Sequence, residues 1–393
     1  MLSAADAAVR VGIKRTTLYA YVSRGFLTAH ILPGRRGSWF DPVELDRLVR
    51  KARGPAERQP ELRVKSAVTL IERGHYFYRG VPPESLAATR SYEEVAEWLW
   101  TGRDEVPLRP WPEDAGAAAR ARQALDLLPP EASAADRVRV IVSVIGASDP
   151  LRFDLRPSGA LATARRLVAT TAVTLGRLPR TSVAAQVAAW LGPRRMSHAA
   201  VRAVETALIV MADHELAAST LAVRIAASFK ADPYAAVVAG LGPMSGTWHG
   251  AASRRIEAAL RALGRGRRNS TAVLSDLLRD GEGLPGFGHP LYPDGDPRFA
   301  ILMPLARSFG PTPEADAILT AAATQGMIHP NVDFALATLA HRLRLAPGAA
   351  EGIFTIGRLA GWLAHAVEEY TERSALRLRA LYVGPRAQAF GSE

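Results

Sequence analysis

Apolar positions recur along most of the chain with the spacing of buried helices. From residue 159 onward, alanine, leucine and valine return every three or four positions, and many segments are apolar around most of their circumference. This pattern is typical of helices packed inside a large helical core. The segments predicted to be helical include 159–176, 182–192, 197–212, 215–229, 251–264, 314–326, 332–343 and 351–369.

The part of the chain that precedes these helices has a different pattern. Residues 52–62 are polar and contain two prolines, which is typical of a linker. Two short runs rich in aromatic and β-branched residues, 68–71 and 76–80, predict strands. Residues 104–136 hold several prolines and alanines, and we expect them to form a surface excursion.

The first 53 residues predict a small module of their own. A short helix over residues 4–10 is broken by Gly12, and residues 14–22 predict a second helix. Two extended pieces, 27–32 and 38–40, then flank a basic turn bounded by proline and glycine, and a third helix follows an aspartate–proline pair. The order helix, glycine turn, helix is the signature of a helix-turn-helix motif, and the basic turn would suit a wing.

This module resembles the winged helix-turn-helix domains of the MerR and excisionase type, which implies contact with DNA. Residues 1–65 hold 13 Lys and Arg against 6 Asp and Glu, a net charge of +7, within a net charge of +11 for the whole chain. The candidate DNA-binding residues are Arg15, Thr16, Tyr19, Arg35 and Arg36. The same features also suit a helical module that packs on a neighbour or mediates assembly.

Composition narrows the chemistry that the protein can use. The chain of 393 residues contains no cysteine, which excludes disulfides, thiolate zinc sites and cysteine nucleophiles. It shows no apolar run long enough to span a membrane and no secretory signal at its N-terminus, so we expect a cytoplasmic protein. A zinc site at His214-Glu215 is not expected, because Ala218 stands where a second histidine ligand would be needed.

Polar residues interrupt the helical region at a few places where chemistry could reside. His249 and His289 each have a glycine neighbour, which lets a ligand approach the backbone closely. Residues 330–334 read Pro-Asn-Val-Asp-Phe at a predicted helix start. Arg358 lies in an apolar helix, where a buried guanidinium needs an anionic partner. Each feature alone also has an ordinary structural explanation, such as a loop histidine, a helix cap or a buried ion pair.

Taken in order, these motifs resemble the citrate synthase family, and the resemblance covers roughly residues 63–386. It rests on Tyr78-Arg79-Gly80, Asp213-His214-Glu215, Ala218-Ser219-Thr220, His249-Gly250, Gly286-Phe287-Gly288-His289, Asp296-Pro297-Arg298, Pro330 to Phe334, Gly357-Arg358 and Ala360-Gly361-Trp362. The resemblance implies an enzyme that condenses acetyl-CoA with oxaloacetate to citrate and CoA. The implied reaction requires no metal and no cofactor, since acyl-CoA is a substrate.

The resemblance also implies a role for each catalytic residue. His249 corresponds to the histidine that hydrogen-bonds the thioester carbonyl, and Asp333 to the base that removes a proton from the acyl α-carbon. His289 corresponds to the histidine that polarises and protonates the ketone of oxaloacetate. The chemistry requires such groups, because a weakly acidic α-proton needs a positioned carboxylate and a donor on the forming enolate oxygen.

Binding of oxaloacetate is implied for His214, Arg298 and Arg358, and for Arg377 supplied across a dimer interface. Arginine forks suit a dicarboxylate because they can bind each carboxylate through two hydrogen bonds. Leu378 stands where the family usually has proline. Arg254 and Arg255 are possible CoA-binding residues, since the sequence after His249 departs from the family pattern, as does Pro290 after the second histidine.

The expected architecture is mainly α, with a winged helix-turn-helix domain at 1–53, a linker at 54–62, a large helical domain at 63–251 and 341–393, and a small helical domain at 252–340. The active site should lie between the large and small domains of a homodimer. Two other functions stay open at this point. One is a 2-methylcitrate synthase that uses propionyl-CoA, and the other is a DNA-binding regulator that senses oxaloacetate or acyl-CoA with little turnover.

Overall fold

A computed structural model describes most of the chain. The residues it does not describe are 12, 24–25, 32–36, 43, 46–63, 105–109, 247–250, 267–268, 280–283, 328, 373–374 and 378–393. The chain divides into two compact units, Met1–Lys65 and Ser66–Glu393. The finer division of the second unit into large and small domains stays a prediction.

The described residues of the first unit form two complete helices and a two-stranded sheet. Strand β1 (Leu2–Ser3) pairs antiparallel with β2 (Trp39–Phe40), and helices α1 (Ala4–Val11) and α2 (Arg15–Ser23) lie between them in sequence. Its apolar core consists of Ala4, Ala7, Leu18, Leu27, Phe40 and Leu45. Both helices therefore form close to their predicted positions.

The extended pieces, the third helix and the wing are the other elements expected in this unit. His30 pairs with Trp39, as expected for extended pieces on either side of the basic turn. Pro42, Glu44 and Leu45 are helical, and the rest of the expected third helix lies outside the described residues. Arg35 and Arg36, at the tip of the predicted wing, also lie outside them.

The second unit opens with a β-hairpin and is otherwise helical. Strands β3 (Thr69–Glu72) and β4 (His75–Tyr78) pair antiparallel, with Thr69 opposite Tyr78. Fifteen helices follow in the described part of this unit. They are α3 Pro83–Thr89, α4 Tyr92–Thr101, α5 Ala115–Leu125, α6 Ala134–Ser148, α7 Pro157–Gly176, α8 Val183–Leu191, α9 His198–Val210, α10 Ala218–Ser228, α11 Pro233–Met244, α12 Ala251–Gly264, α13 Ser270–Leu278, α14 Pro297–Ser308, α15 Pro313–Ala323, α16 Val332–Arg342 and α17 Ala349–Thr371.

Helix α17 is the centre of this unit and is buried along most of its length. Two glycines one turn apart, Gly357 and Gly361, let the end of α9 and the segment after it approach closely. A Cβ atom on Gly357 would collide with the carbonyl oxygen of Leu208, and one on Gly361 with Asp213 and the carbonyl oxygen of Ala212. This close approach places Arg358 beside the segment that carries His214.

The predicted surface excursion over residues 104–136 is wrong for its central part. Residues 115–125 form α5, which is capped by the Asp114 side chain, and α6 begins at Ala134. Ala117, Ala118 and Ala121 are buried, and Ala117 and Ala121 belong to the main core. Their small side chains lie on one helical face, so the helix can pack closely without a large apolar residue.

Among the described residues, no helix is both long enough and apolar enough to cross a membrane.

Candidate active site

A cavity of about 780 Å³ in the second unit gathers the polar residues that stand out in the sequence. The described charged and titratable residues that line it are His214, Glu215, Arg255, His289, Arg298, Asp333 and Arg358. Apolar side chains such as Leu216, Leu284, Phe287, Val332 and Phe354 form the rest of the wall. Five of the seven residues predicted for catalysis or oxaloacetate binding therefore meet in one place.

Asp333 sits at the start of α16 with a largely desolvated carboxyl group. Asn331, and not Asp333, caps this helix: its side chain accepts from the backbone N–H of Asp333 at 3.0 Å. The Oδ1 atom of Asp333 is buried and has no hydrogen-bond partner among the described residues. Burial raises the pKa of Asp333 to about 7, against the opposing effect of Arg298. A carboxyl group in this state is suited to proton transfer near neutral pH.

His289 follows a turn in which Gly286 and Gly288 both have positive φ. Its Nδ1 accepts a hydrogen bond from the backbone N–H of Leu291 at 3.2 Å. Burial and the nearby Arg298 lower the pKa of His289 to about 4, so the ring is neutral at pH 7. A neutral ring that accepts at Nδ1 carries its proton on Nε2, and this N–H can serve as a donor.

His214 packs against His289 and is held by a residue that the sequence analysis did not single out. The His214 and His289 rings meet edge to face with their centroids 5.2 Å apart. Nε2 of His214 lies 2.7 Å from the hydroxyl oxygen of Tyr292. The Tyr292 ring also lies 4.8 Å from that of His289, so one tyrosine contacts both histidines.

Arg298 is buried and already has an anionic partner. Its Nε and one terminal nitrogen donate to the two carboxylate oxygens of Asp296 at 2.9 and 2.8 Å. Asp296 also caps α14 and accepts from the backbone N–H of Val332 at 3.0 Å, next to Asp333. Asp296 is therefore a second residue of the site that sequence reasoning missed, although it stands in the quoted Asp-Pro-Arg motif.

Arg358 is 1% exposed and differs from Arg298 in its partners. Its Nε donates to the carbonyl oxygen of Met211 at 2.9 Å, and its guanidinium lies 5.0 Å from the Phe354 ring. Neither terminal nitrogen has a hydrogen-bond partner in the described part of the chain. A buried guanidinium with two free donors is suited to bind a carboxylate.

The other predicted site residues are placed as follows. His249 lies outside the described residues. Arg255 lines the cavity and donates to the carbonyl oxygen of Leu277 at 3.0 Å. Arg254 is exposed, does not line the cavity and lies 3.6 Å from Glu351. Arg377 is exposed and is also absent from the cavity wall.

Comparison with known proteins identifies the family. The family model described as citrate synthase, C-terminal domain, matches residues 61–379. Citrate synthase 2 of Bacillus subtilis is 32% identical over 200 residues, which cover 48% of this chain and about half (53%) of that protein. A 2-methylcitrate synthase of Mycobacterium tuberculosis is 29% identical over 333 residues, which cover 78% of this chain and 84% of that protein.

Solved structures share the fold. Citrate synthase from Thermoplasma acidophilum, solved as a ternary complex with carboxymethyl coenzyme A and oxaloacetate, superposes with a TM-score of 0.68 at 22% identity, covering 84% of this chain and 97% of that one. Citrate synthase from Pyrobaculum aerophilum gives a TM-score of 0.67 at 22% identity, covering 93% of this chain and 96% of that one.

The second unit is mainly helical, and its cavity brings together a buried carboxyl group, a neutral histidine and a buried guanidinium. The family model spans well over half of the chain, and the chain belongs to the citrate synthase family.

Proposed function

We propose that the protein condenses acetyl-CoA with oxaloacetate to give citrate and CoA. The observation that carries this proposal is the shared cavity: it holds Asp333 with a pKa of about 7, a neutral His289, and Arg358 with both terminal nitrogens free among the described residues. These groups match the needs of the reaction, namely a base for the acyl α-proton, a donor for the ketone oxygen and a fork for a carboxylate.

In the first step, Asp333 takes a proton from the α-carbon of the thioester. The electron pair of that C–H bond moves toward the thioester carbonyl and forms an enolate. Such an oxygen needs a hydrogen-bond donor, a role that the family resemblance gives to His249. Because the pKa of Asp333 is close to 7, the carboxylate is a stronger base than an exposed aspartate and is still largely ionised above pH 7.

In the second step, the enolate carbon attacks the ketone carbon of oxaloacetate. The ketone oxygen gains a proton from the Nε2–H of His289 as the new C–C bond forms. The ring then recovers a proton from water, and the proton on Asp333 passes to solvent, so both groups return to their starting state. Water then hydrolyses the thioester and releases CoA and citrate. The apolar wall around the polar groups limits water access before that step.

The carboxylates of oxaloacetate would bind to Arg358, His214 and the remaining donor of Arg298. Arg377 would complete the site from the partner subunit, in agreement with its exposed position away from the cavity. Exposed apolar side chains suggest where the subunits meet: Leu151, Phe153 and Phe229 are 63%, 65% and 63% exposed. Light scattering after gel filtration should show a dimer.

Sharing of the site between subunits can be tested by mixing two inactive variants, Asp333→Asn and Arg377→Ala. If Arg377 acts across the interface, hybrid dimers contain one complete site and regain activity. If Arg377 serves its own subunit, one site of the hybrid lacks Asp333 and the other lacks Arg377, so no activity returns.

Thiol release from acetyl-CoA in the presence of oxaloacetate tests the reaction itself. We expect turnover by the wild type and its loss in Asp333→Asn, which keeps the shape of the side chain. Asp316→Asn is a matched control, because Asp316 is a half-exposed aspartate on α15 whose side chain lies in an ion pair with Arg307, outside the cavity wall. A folded protein that binds oxaloacetate without releasing thiol would reject the enzyme hypothesis in favour of a ligand-sensing regulator.

Propionyl-CoA is the alternative acyl donor, which would make the product 2-methylcitrate. The mycobacterial 2-methylcitrate synthase aligns over 78% of this chain, against 48% for the Bacillus citrate synthase. One methylene changes discrimination by only about 1–3 kcal/mol, so the choice needs a measurement. The ratio of kcat/KM for the two acyl-CoAs decides between them.

For the first unit we propose contact with DNA through the face of α2. Arg15, Thr16 and Tyr19 are exposed on this helix, and Leu18 is buried in the core behind them. Binding of a fluorescent duplex should weaken as salt rises and should weaken further in Arg15→Ala. Absence of binding at low salt would leave the packing or assembly role for this unit.

A further inference from the structure

A chain of buried polar groups lies directly behind His214. Asp213 is fully buried, and its Oδ2 accepts from the Thr69 hydroxyl at 2.5 Å and from the backbone N–H of Glu215 at 3.1 Å. Nε2 of His365 lies 3.3 Å from the same oxygen. Oδ1 has no hydrogen-bond partner in the described part of the chain. All three donors therefore converge on one oxygen of a carboxylate that is sealed from water.

The hydrogen bonds around Asp213 favour its ionised form, and its pKa is lowered against the effect of burial. A terminal nitrogen of Arg224 lies 2.9 Å from Nδ1 of His365, and a guanidinium can only donate. Nδ1 of His365 therefore accepts, and its Nε2 carries the proton and donates to Asp213. With three donors on Oδ2, Asp213 is held in its ionised form.

The charge of Arg224 is already balanced by two other carboxylates. Its Nε donates to Glu369 at 2.6 Å, and a terminal nitrogen donates to Glu368 at 2.7 Å. His365 stands between Arg224 and Asp213, where its Nδ1 accepts from Arg224 and its Nε2 donates to Asp213. Arg224 therefore does not contact Asp213 directly.

The buried arginine beside this segment is Arg358, which together with His365 lowers the pKa of Asp213 against the effect of burial. The segment that carries Asp213 runs along the turn of α17 that carries Arg358: Met211 accepts from Arg358 Nε, and Ala212 accepts from the backbone N–H of Gly361, both at 2.9 Å. Burial lowers the pKa of Arg358, and the charge of Asp213 opposes this effect. The contrast with Arg298 is informative, because Asp296 occupies two nitrogens of Arg298 directly.

We propose that Asp213 is the internal counter-ion of Arg358 and that it limits how tightly the cavity holds a carboxylate. In the empty site, the anion offsets a buried guanidinium that would otherwise be costly. Because Asp213 does not bond the terminal nitrogens, they remain available to a ligand. Once a carboxylate binds to Arg358, the charge of Asp213 repels it, which weakens binding and assists release of an anionic product. Asp213 is thus a positioning residue that sets affinity.

A double-mutant cycle on stability tests the pairing without any reference to turnover. Asp213→Asn is nearly isosteric and removes only the charge, and Arg358→Met removes the partner charge. Each single variant should lower Tm, and the double variant should unfold at a higher temperature than the two losses added together predict. If Asp213→Asn does not fold alone, the double variant should recover folding. Strict additivity, or a double variant that also fails to fold, would overturn the pairing.

The matched control is the pair Asp213→Asn with Arg298→Met. Arg298 has its own counter-ion in Asp296, so these two changes should add without rescue. Rescue of equal size in this control would mean that Asp213 acts on the site as a whole, and the assignment to Arg358 would be wrong.

The second part of the inference rests on the proposed role of Arg358 in oxaloacetate binding. Calorimetry with oxaloacetate should give a Kd about tenfold lower for Asp213→Asn than for the wild type, equivalent to about 1.4 kcal/mol. The kcat should fall, because the product leaves more slowly. An unchanged or weaker affinity would overturn this part and leave Asp213 with a structural role only.

His365→Gln provides the conservative comparison. Glutamine can accept from Arg224 and donate to Asp213 while it leaves both charges in place, so its oxaloacetate affinity should equal that of the wild type. A tenfold change in this variant would contradict a charge-based effect. If the wild type binds oxaloacetate but releases no thiol, the condensation proposal fails, whereas the stability cycle and the binding comparison still decide the role of Asp213.

Discussion

The hydroxyl oxygen of Tyr292 lies 2.7 Å from Nε2 of His214, and this contact joins two loops that are 78 residues apart in sequence. Tyr292 is 1% exposed, and its ring also packs against His289. One side chain therefore fixes the relative position of two of the polar groups that line the cavity. Its contribution to substrate binding can be separated from its contribution to stability.

We expect Tyr292→Phe to raise KM for oxaloacetate by roughly tenfold, because His214 loses the partner that orients its ring. The value of kcat should change less, since neither Asp333 nor His289 is bonded to the hydroxyl. Steady-state kinetics with oxaloacetate as the varied substrate provides the measurement.

Tyr234→Phe is the control for this variant. Tyr234 is 3% exposed and donates to Asp149 at 2.8 Å, outside the cavity wall. Both variants lose one buried hydrogen bond, worth about 1–2 kcal/mol of unfolding free energy. Only Tyr292→Phe should change KM. Equal kinetic effects in both variants would show that general loosening, and not His214, is responsible.

The raised pKa of Asp333 predicts a pH dependence of activity. The base must be ionised to accept a proton, so kcat/KM should fall as the pH drops below about 7. His289, with its pKa lowered to about 4, should stay neutral across this range and add no second limb near neutral pH. A pH–rate profile that stays flat from pH 8 down to pH 5 would contradict the assignment of Asp333 as the base.

The raised pKa of Asp333 also predicts that stability falls as the pH rises, whereas activity increases. A carboxyl group whose pKa is higher in the folded than in the unfolded state lowers stability as the pH rises from about 4 through about 7, by about 1.4 kcal/mol for each pH unit between the two pKa values. Asp333→Asn removes this penalty. The variant should therefore have a higher Tm than the wild type at pH 8, and the difference should shrink at pH 4. Thermal unfolding at both pH values measures this, and a lower Tm at pH 8 would refute it.

At Gly361, adding a single methyl group should lower both stability and oxaloacetate binding. A Cβ atom at this position would overlap Asp213 and the carbonyl oxygen of Ala212. Overpacking of this kind costs about 1–3 kcal/mol, and the strain would push the segment that carries His214. Gly361→Ala should therefore lower Tm and raise KM for oxaloacetate together.

Gly116 is the matched glycine for that experiment. It is exposed in the first turn of α5, and a Cβ atom there would make only ordinary contacts, the nearest at 3.4 Å to Asp114. Gly116→Ala should leave activity unchanged and raise the free energy of unfolding by up to about 1 kcal/mol, because alanine favours the helix. If both variants behave alike, crowding at Gly361 is not the cause.

The site residues that could be predicted from sequence are those whose polarity does not match the segment around them. Arg358 stands out because it is a charged residue in an apolar helix, and His289 because it is a polar ring directly after a glycine. The contact between Asp213 and His365 could not be predicted, since 152 residues separate them and neither violates a local pattern. Helix α5 was missed because its buried face consists of alanines, which give a weak periodic signal.

The two candidate CoA-binding arginines are adjacent in sequence but differ in their surroundings. Arg255 lines the cavity, and we expect its guanidinium to contact the phosphate groups of acyl-CoA. Arg254 is exposed outside the cavity wall and lies 3.6 Å from Glu351. Arg255→Ala should therefore raise KM for acyl-CoA by roughly tenfold, while Arg254→Ala should leave it within about twofold, because the Arg254 side chain does not line the cavity. KM for oxaloacetate should be the same in both variants as in the wild type. If neither variant changes KM for acyl-CoA, the phosphates bind elsewhere. If Arg254→Ala has the larger effect, the phosphates bind at Arg254, outside the cavity wall.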